Sequence, residues 1–192
     1  MKEGNMFWNS KTVIEPGTIW HTWFFTNFEW FSMKTLFPLP ILLLSLISCS
    51  SETTDLQKGL DAANNGDFET ALREWTPLAE QGDAEAQFNV GLMYESGQGV
   101  LKDYKTAVKW YTLAAEQGNA KSQYYLGMMY YEGEGVIQDN IYAHMWGNIA
   151  TSNGNDSGSY LTDLAARKMT YDDISAAQKL ARECLAKNYK GC

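Results

Sequence analysis

Basic residues, histidine and proline are all scarce in this chain of 192 residues. The 15 Lys and Arg are outnumbered by 23 Asp and Glu, which gives a formal net charge of -8. Nucleic-acid binding needs a dense Lys/Arg face, so this charge balance argues against it. Only 2 His are present, and His144 is the one that follows residue 48, with no Cys near it in sequence. Metal catalysis is therefore disfavoured, because a zinc centre needs several such ligands, and we expect His144 to be partly exposed on a helix.

The chain also lacks the composition biases of disordered, collagen-like and polytopic membrane proteins. Its 45% hydrophobic and 20% charged residues are typical of a globular protein, and its length fits one domain or two small ones. Because there are 16 Gly but only 4 Pro, we expect the glycines to hold specific positions in the fold.

No apolar run in the sequence is long enough to cross a bilayer as a helix. The run from residue 36 to residue 47 has 12 residues and contains Pro38 and Pro40, whereas a membrane-spanning helix needs about 20. It follows Lys34 and precedes Ser48, an order typical of a secretory signal. The sequence therefore predicts a signal peptide at residues 33–48.

The segment before this signal has no helical or strand periodicity. Residues 1–32 hold four of the 7 Trp. We interpret them as an upstream extension that is not folded or not translated, so both Met1 and Met33 stay open as the start of the protein.

Leu46-Ile47-Ser48-Cys49 resembles the lipobox of bacterial lipoproteins. The resemblance implies that Cys49 carries a lipid anchor on the periplasmic side of a membrane, and Ser50 after it implies the outer membrane. The alternative is an incidental cysteine beside an ordinary cleavage site, which would give a secreted or soluble periplasmic protein. An adaptor in the cytoplasm is the third possibility, if Met1 is the start and the leader fails to export.

Two cysteines remain once Cys49 is set aside. Cys184 and Cys192 lie close together near the C-terminus, where a disulfide would keep the last helix from fraying in an oxidising compartment. Two free thiols are the alternative, because sequence spacing cannot show that the two Cα atoms come within bonding range.

The rest of the chain repeats itself at a shift of 36 residues. Ten pairs of identical residues match at this shift, including Gly91 with Gly127 and Trp110 with Trp146. The residues that define the repeat are Gly91, Tyr94, Gly97, Gly99, Asp103, Ala107, Trp110 and Gly118 in one copy, and Gly127, Tyr130, Gly133, Gly135, Asp139, Ala143, Trp146 and Gly154 in the next. A degenerate copy precedes them, with Asn64-Asn65-Gly66 in place of the Gly-x-Gly-Val loop. Such a period indicates a stacked repeat fold.

Each copy is predicted to form two helices. Asp67, Asp103 and Asp139 stand where a short acceptor side chain would cap the second helix, and a glycine follows that helix in each copy. The Gly-x-Gly-Val loops between the two helices suit positive φ angles. Glu132 and Glu134, in the second of these loops, fit a solvated loop.

This pattern of Gly, Tyr, Gly-x-Gly-Val, Asp, Ala, Trp and Ala-Ala resembles the Sel-one-like repeat family, relatives of tetratricopeptide repeats. The resemblance implies an all-α fold, a right-handed α-solenoid of two-helix repeats closed by a C-terminal capping helix. The predicted boundaries are a linker at 49–55, repeats at 56–87, 88–123 and 124–160, and capping helices at 161–192.

The resemblance also implies a binding surface, because the first helices of tetratricopeptide repeats line the concave side. The residues expected there are Glu85, Phe88, Leu92, Glu95, Lys121, Tyr124, Met128 and Tyr131. Exposed aromatic and Met side chains with charges at the edges suit a partner peptide or helix. Apolar spacing alone leaves open whether these side chains face a groove or pack between repeats.

The function predicted from these features is a non-enzymatic adaptor of the bacterial cell envelope, lipid-anchored and bound to a partner protein or peptide. No serine-nucleophile signature follows residue 48, and we expect no cofactor, metal or nucleic acid. The alternative is a protein that binds or hydrolyses cell-wall or β-lactam compounds, as some cysteine-rich relatives do. Those relatives carry cysteine pairs within their repeats, whereas the repeats here contain none.

Overall fold

A computed structural model describes residues 51–192, with side chains from Asp55 onward. The upstream extension at 1–32, the signal peptide at 33–48 and the lipidation of Cys49 lie outside the described residues. The part described is entirely helical. Its helices are α1 Ser51–Asn64, α2 Phe68–Glu80, α3 Ala84–Ser96, α4 Tyr104–Ala115, α5 Ala120–Glu132, α6 Asn140–Ser152, α7 Ser157–Ala166 and α8 Tyr171–Ala186. None of these helices is both long and apolar enough to cross a membrane.

The helix starts follow the predicted caps. The carboxylate of Asp139, for example, accepts hydrogen bonds from the backbone N–H groups of Ile141 and Tyr142 at 2.8 and 3.1 Å, and Asp67 and Asp103 cap α2 and α4 in the same way. An acceptor at this position satisfies backbone donors that the helix itself leaves unpaired.

The Gly-x-Gly loops need glycine for two reasons. Gly99 has a φ of +71°, which side chains rarely adopt. A Cβ atom there would also lie 2.7 Å from the carbonyl oxygen of Phe68, because the loop lies against the start of α2. Gly135 repeats this arrangement against Tyr104 at the start of α4. Each loop therefore packs its own repeat onto the preceding one.

The core runs between the paired helices and joins successive repeats. Ala71, Ala107 and Ala143 stand at equivalent positions and are fully buried, so their small side chains let the helices approach closely. Large residues such as Trp75 and Trp146 fill the remaining space, and the Trp75 indole N–H donates to the carbonyl of Leu56 at 3.1 Å.

The repeats begin earlier than the boundaries drawn from the sequence. The helix pairs start at Ser51, Ala84 and Ala120 rather than at residues 56, 88 and 124. Residues 51–55, expected to be linker, are thus the beginning of α1. A constant shift of 36 residues establishes the period of a repeat but not its phase, which Asp83 and Asn119 set by capping α3 and α5.

The C-terminal part departs from the repeat geometry. Residue 161, where capping helices were expected to begin, lies inside α7, which starts at Ser157 and packs along α6. Helix α8 also packs on α6. A disulfide joins Cys184 to Cys192, with the Cα atoms 5.5 Å apart. It closes the tail that returns to the body of the protein, where Tyr189 donates from its hydroxyl to Asn153 at 3.0 Å.

Candidate protein-interaction face

Three first helices, α3, α5 and α7, lie side by side and form what we call the A-helix face. At the 36-residue spacing of the sequence, the positions along these helices fall into four rows. The rows are Glu85, Lys121 and Ser157; Phe88, Tyr124 and Tyr160; Leu92, Met128 and Leu164; and Glu95, Tyr131 and Arg167. Contacts across helices support this arrangement, because Lys121 forms an ion pair with Glu85 at 3.0 Å and its Nζ lies 5.4 Å from the ring centre of Phe88.

Most of the side chains expected at a partner surface are partly accessible on this face. Lys121 is exposed. The half-buried members are Glu85, Leu92, Glu95, Tyr124, Met128 and Tyr131. Their accessibility keeps them available to a partner while their apolar parts rest on the core.

Phe88 corrects the expectation, because it belongs to the core. Its side chain is only 6% exposed. The ring packs against Tyr125 of α5 at 5.4 Å and against Tyr111 of α4 at 6.0 Å between centroids. Aromatic rings from the next two helices thus cover the position that a partner would have to reach.

Tyr160 is a member of the face that the sequence analysis missed. Its side chain is 62% exposed. It stands 36 residues after Tyr124, and the two rings are close enough that Tyr160 contributes to raising the pKa of Tyr124, after the larger effect of burial. The 36-residue period places Tyr160 in the same row as Tyr124, so the sequence contained the information needed to predict it. It was missed because the predicted third repeat ends at residue 160.

The carboxylates of Glu95, Glu132 and Glu134 influence one another electrostatically where α3 and α5 end. Burial raises the pKa of Glu95, although Tyr111 opposes this by donating a hydrogen bond from its hydroxyl to the carboxylate. Burial also raises the pKa of Glu132, and the neighbouring charges of Glu134 and Glu95 raise it further. Glu132 and Glu134, expected in a solvated loop, thus lie within electrostatic reach of Glu95, as does the cation of Lys102.

A ladder of side-chain amides holds the successive repeats in register. The Gln87 amide donates to the carbonyl of Ala79 at 3.0 Å and accepts from Gln117 at 2.8 Å. One repeat later, Gln123 donates to Ala115 at 3.1 Å and accepts from Asn153 at 2.9 Å. Since Gln87 and Gln123 are buried and hydrogen-bonded, this ladder keeps the A-helix face rigid.

His144 is buried, contrary to the expectation of a partly exposed residue. Its side chain is 3% exposed, and its Nδ1 lies 3.0 Å from the amide nitrogen of Asn148. Burial lowers its pKa, an effect that the charge of Asp163 opposes. No group of His, Cys, Asp and Glu within the described residues is arranged to hold a metal ion.

Comparison with known families decides what these repeats are. The family model described as Sel1 repeat matches residues 84–119 and 120–155. Residues 84–155 match two Sel1 repeats. These matches begin where α3 and α5 begin, which agrees with the phase seen in the structure. The expected relationship to the Sel-one-like family is confirmed, and Sel1 repeats in general mediate protein–protein interaction.

Solved structures confirm the all-helical solenoid fold of this protein. A protective antigen of uropathogenic Escherichia coli strains, which displays an SLR fold, has 27% identity and a TM-score of 0.68 over 73% of this chain. The matched region spans 32% of that antigen. A Sel1 repeat protein from Oxalobacter formigenes has 29% identity and a TM-score of 0.55, covering 64% of this chain and 96% of its own. The sequence matches none of the curated proteins.

Proposed function

We propose that this protein is a non-enzymatic adaptor that binds a segment of a partner protein on its A-helix face. The observation that carries the proposal is the row of aromatic and aliphatic side chains that stays accessible on α5 and α7. Tyr124, Met128 and Leu164 are half-buried and Tyr160 is 62% exposed. Aromatic and Met side chains that are partly accessible on a rigid helical surface are favourable anchor points for a partner.

The chemistry of this row suits a peptide or helix better than a small molecule. Its accessible side chains belong to two neighbouring helices and form a continuous apolar stripe rather than a closed cavity. A partner helix or extended segment can cover such a stripe with side chains at regular spacing. Because the amide ladder already holds the repeats in register, little ordering of the face itself opposes binding.

The crosslinking experiment that tests this uses two tyrosine positions. A photoreactive amino acid replaces Tyr160 on the A-helix face in one variant and Tyr171 in the other. Tyr171 is 85% exposed but lies at the start of α8, outside the face. We expect irradiation in cells to give a discrete protein adduct from position 160 and none from position 171. The same adducts from both positions, or none from position 160, would contradict the proposal.

We further propose that the adaptor works at the cell envelope as an outer-membrane lipoprotein. Two features support this: the signal-like segment that ends in Cys49, and the disulfide between Cys184 and Cys192, a bond that persists in oxidising compartments. Metabolic labelling with a fatty acid tests the anchor. The wild type should take up the label and fractionate with outer membranes, and Cys49→Ala should lose both properties. A labelled, membrane-bound Cys49→Ala protein would rule out anchoring through this residue.

A further inference from the structure

We propose that the C-terminal tail is a redox-sensitive strap that fixes the end of the amide ladder. Reduction of the Cys184–Cys192 disulfide by a dithiol releases the strap and weakens partner binding on the A-helix face. The C-terminal strap consists of residues 187–192, which follow α8. This inference rests on the proposed function for its consequence, because the ladder holds α5, one of the helices that form the A-helix face.

The C-terminal strap is tied to two successive repeats at once. The Tyr189 hydroxyl donates to the side-chain oxygen of Asn153, at the end of α6, at 3.0 Å. The backbone N–H of Gly191 donates to the carboxylate of Glu116, at the end of α4, also at 3.0 Å. The Tyr189 ring lies against Gly118, where an added Cβ would be 3.1 Å from it. The strap therefore bridges the ends of two second helices.

One of these contacts continues the amide ladder. While Asn153 accepts from Tyr189, its amide nitrogen donates to Gln123 at 2.9 Å. Gln123 is fully buried on α5 and directly precedes Tyr124 of the A-helix face. Because the Tyr189 hydroxyl engages the oxygen of this amide, it directs the nitrogen towards Gln123. Release of the strap would leave the last amide of the ladder free to reorient.

The C-terminal strap contains a strained piece of backbone. Asn188 and Tyr189 have φ angles of +50° and +66°, and they are the non-glycine residues with positive φ in the part of the chain that the structure describes. Asparagine adopts this region readily after a helix, whereas tyrosine rarely does. Cys184 and Cys192 flank the two residues, and their bond closes the chain around them. Strained segments held by a constraint of this kind are common in switch regions.

A reductant can reach the disulfide in the folded protein. Cys184 is only 2% exposed, but Cys192 is partly accessible. A cavity of about 170 Å³ lies beside both cysteines, with Tyr142 and Met145 of α6 in its wall. Accessible disulfides are the ones that thiol–disulfide exchange reduces most readily. In an oxidising compartment the closed strap is the resting state, and a dithiol opens it.

The step that opens the strap is thiol–disulfide exchange with a dithiol. A thiolate of the reductant attacks the Sγ atom of Cys192, and the S–S bond breaks so that Cys184 leaves as a thiolate and takes up a proton. The second thiol of the reductant then loses its proton and displaces Cys192, which is protonated in turn. The chain gains two thiols, and the reductant becomes a disulfide.

Hydrogen exchange on the full chain with Cys49→Ala tests the strap. Exchange is measured without denaturant, with and without dithiothreitol, and intact mass reports the state of the disulfide. The segments that the strap contacts are 114–119 and 150–155. The internal control is 78–83, the equivalent turn one repeat earlier.

Three variants separate the disulfide from the hydroxyl contact. Cys184→Ser with Cys192→Ser is permanently open, and Tyr189→Phe keeps the disulfide but removes the donor to Asn153. Tyr171→Phe is the matched control, because Tyr171 is 85% exposed at the start of α8. Crosslinking in cells from position 160, normalised to the amount of protein, compares partner binding in the wild type and in the permanently open variant.

We expect dithiothreitol to add two hydrogen masses and to raise exchange at 114–119 and 150–155 about fivefold, the factor expected for the loss of one hydrogen bond. Exchange at 78–83 should change by less than about twofold, and reoxidation should restore the original rates. The permanently open variant should exchange fast with or without reductant. Tyr189→Phe should raise exchange at 150–155, and Tyr171→Phe should match wild type. The adduct from position 160 should fall at least about threefold in the permanently open variant.

Different failures separate the strap from the proposed function. A disulfide that resists dithiothreitol without denaturant, a change confined to residues 184–192, or an equal change at 78–83 would overturn the strap. Raised exchange with equal adduct yields in the wild type and the permanently open variant would overturn its control of the A-helix face, while leaving that face as the binding surface. The absence of an adduct from either protein would contradict the proposed function, and the exchange rates would still decide whether the strap exists.

Discussion

The backbones of Gly147 in α6 and Gly158 in α7 approach each other closely. A Cβ atom on Gly147 would lie 2.9 Å from the carbonyl oxygen of Gly158. Residue 147 is equivalent to Tyr111 of the preceding repeat. The ring of Tyr111 packs against Gly91 within that same repeat. With no ring at position 147, Leu161 of α7 reaches Gly127 instead, and α7 lies close along α6. This approach places Tyr160 on the A-helix face.

Replacing Gly147 with Ala should destabilise the protein by about 2 kcal/mol, because the added methyl group has no space between α6 and α7. Gly154→Ala is the control: its φ of +89° is strained for alanine, but nothing lies within 4 Å of the added Cβ. That change should cost only about 1 kcal/mol of backbone strain. Urea unfolding followed by circular dichroism measures both. A smaller loss for Gly147→Ala than for its control would contradict the close packing of α7.

Removing the Tyr111 hydroxyl should lower the free energy of unfolding, because Glu95 is partly buried. Tyr111→Phe leaves the half-buried Glu95 carboxylate without this donor, so we expect a loss of about 1 to 2 kcal/mol in the free energy of unfolding at neutral pH. Tyr104→Phe is the matched control, since its hydroxyl accepts from Lys102 in an exposed setting and its loss should be below about 0.5 kcal/mol. Equal values for the two variants would show that the Tyr111 bond adds nothing.

Breaking the disulfide should loosen the C-terminal tail. Cys184 and Cys192 are 8 residues apart in sequence, and closing so short a loop stabilises a fold by about 2 to 3 kcal/mol. We expect a reductant to lower the melting temperature of a Cys49→Ala protein, and Cys184→Ser with Cys192→Ser to melt at the lower temperature with or without reductant. An unchanged melting temperature and an unchanged mass on reduction would show that the bond does not form.

His144 should make stability depend on pH below its ordinary pKa. Because burial lowers the pKa of this histidine in the folded protein, the unfolded chain takes up a proton first as the pH falls. Stability attributable to neutral His144 is therefore complete above its ordinary pKa of 6.5 and declines as the pH drops below it. His144→Val, which installs the residue found at the equivalent position 108, should lose less stability between about pH 7.5 and about pH 5.5 than wild type. Parallel losses would assign the dependence to other groups.

The period and the capping residues of this fold could be predicted from sequence because both are local. Asp103 and Asp139 cap their helices through backbone donors a few residues away, and the shift of 36 residues is visible in the sequence itself. The predicted start of each repeat differs from the structure, because a constant shift between copies does not show at which residue a copy begins. The predicted C-terminal boundary differs from the structure because the position of α7 depends on the contact between Gly147 and Gly158. No repeated pattern in the sequence marks that contact.

The candidate site was harder to predict from the sequence, because it also depends on contacts between helices. Phe88 and Tyr124 are equivalent in the repeat, yet Phe88 is buried by Tyr125 and Tyr111 while Tyr124 stays half-exposed. Similarly, Glu95 of α3 lies within electrostatic reach of Glu132 at the end of α5. Such differences arise from which neighbouring helix covers a position, and only the packing shows them.

The central claim, that the A-helix face binds a partner protein, is tested most directly by titrating the partner identified by crosslinking. Wild type, Tyr160→Ala and Tyr171→Ala are compared by isothermal titration calorimetry, with urea unfolding in parallel. The account predicts that Tyr160→Ala loses at least about tenfold in affinity, or about 1.4 kcal/mol, as expected for an aromatic anchor, with an unchanged free energy of unfolding. Tyr171→Ala should bind like wild type. Equal affinities for all three proteins would contradict the claim.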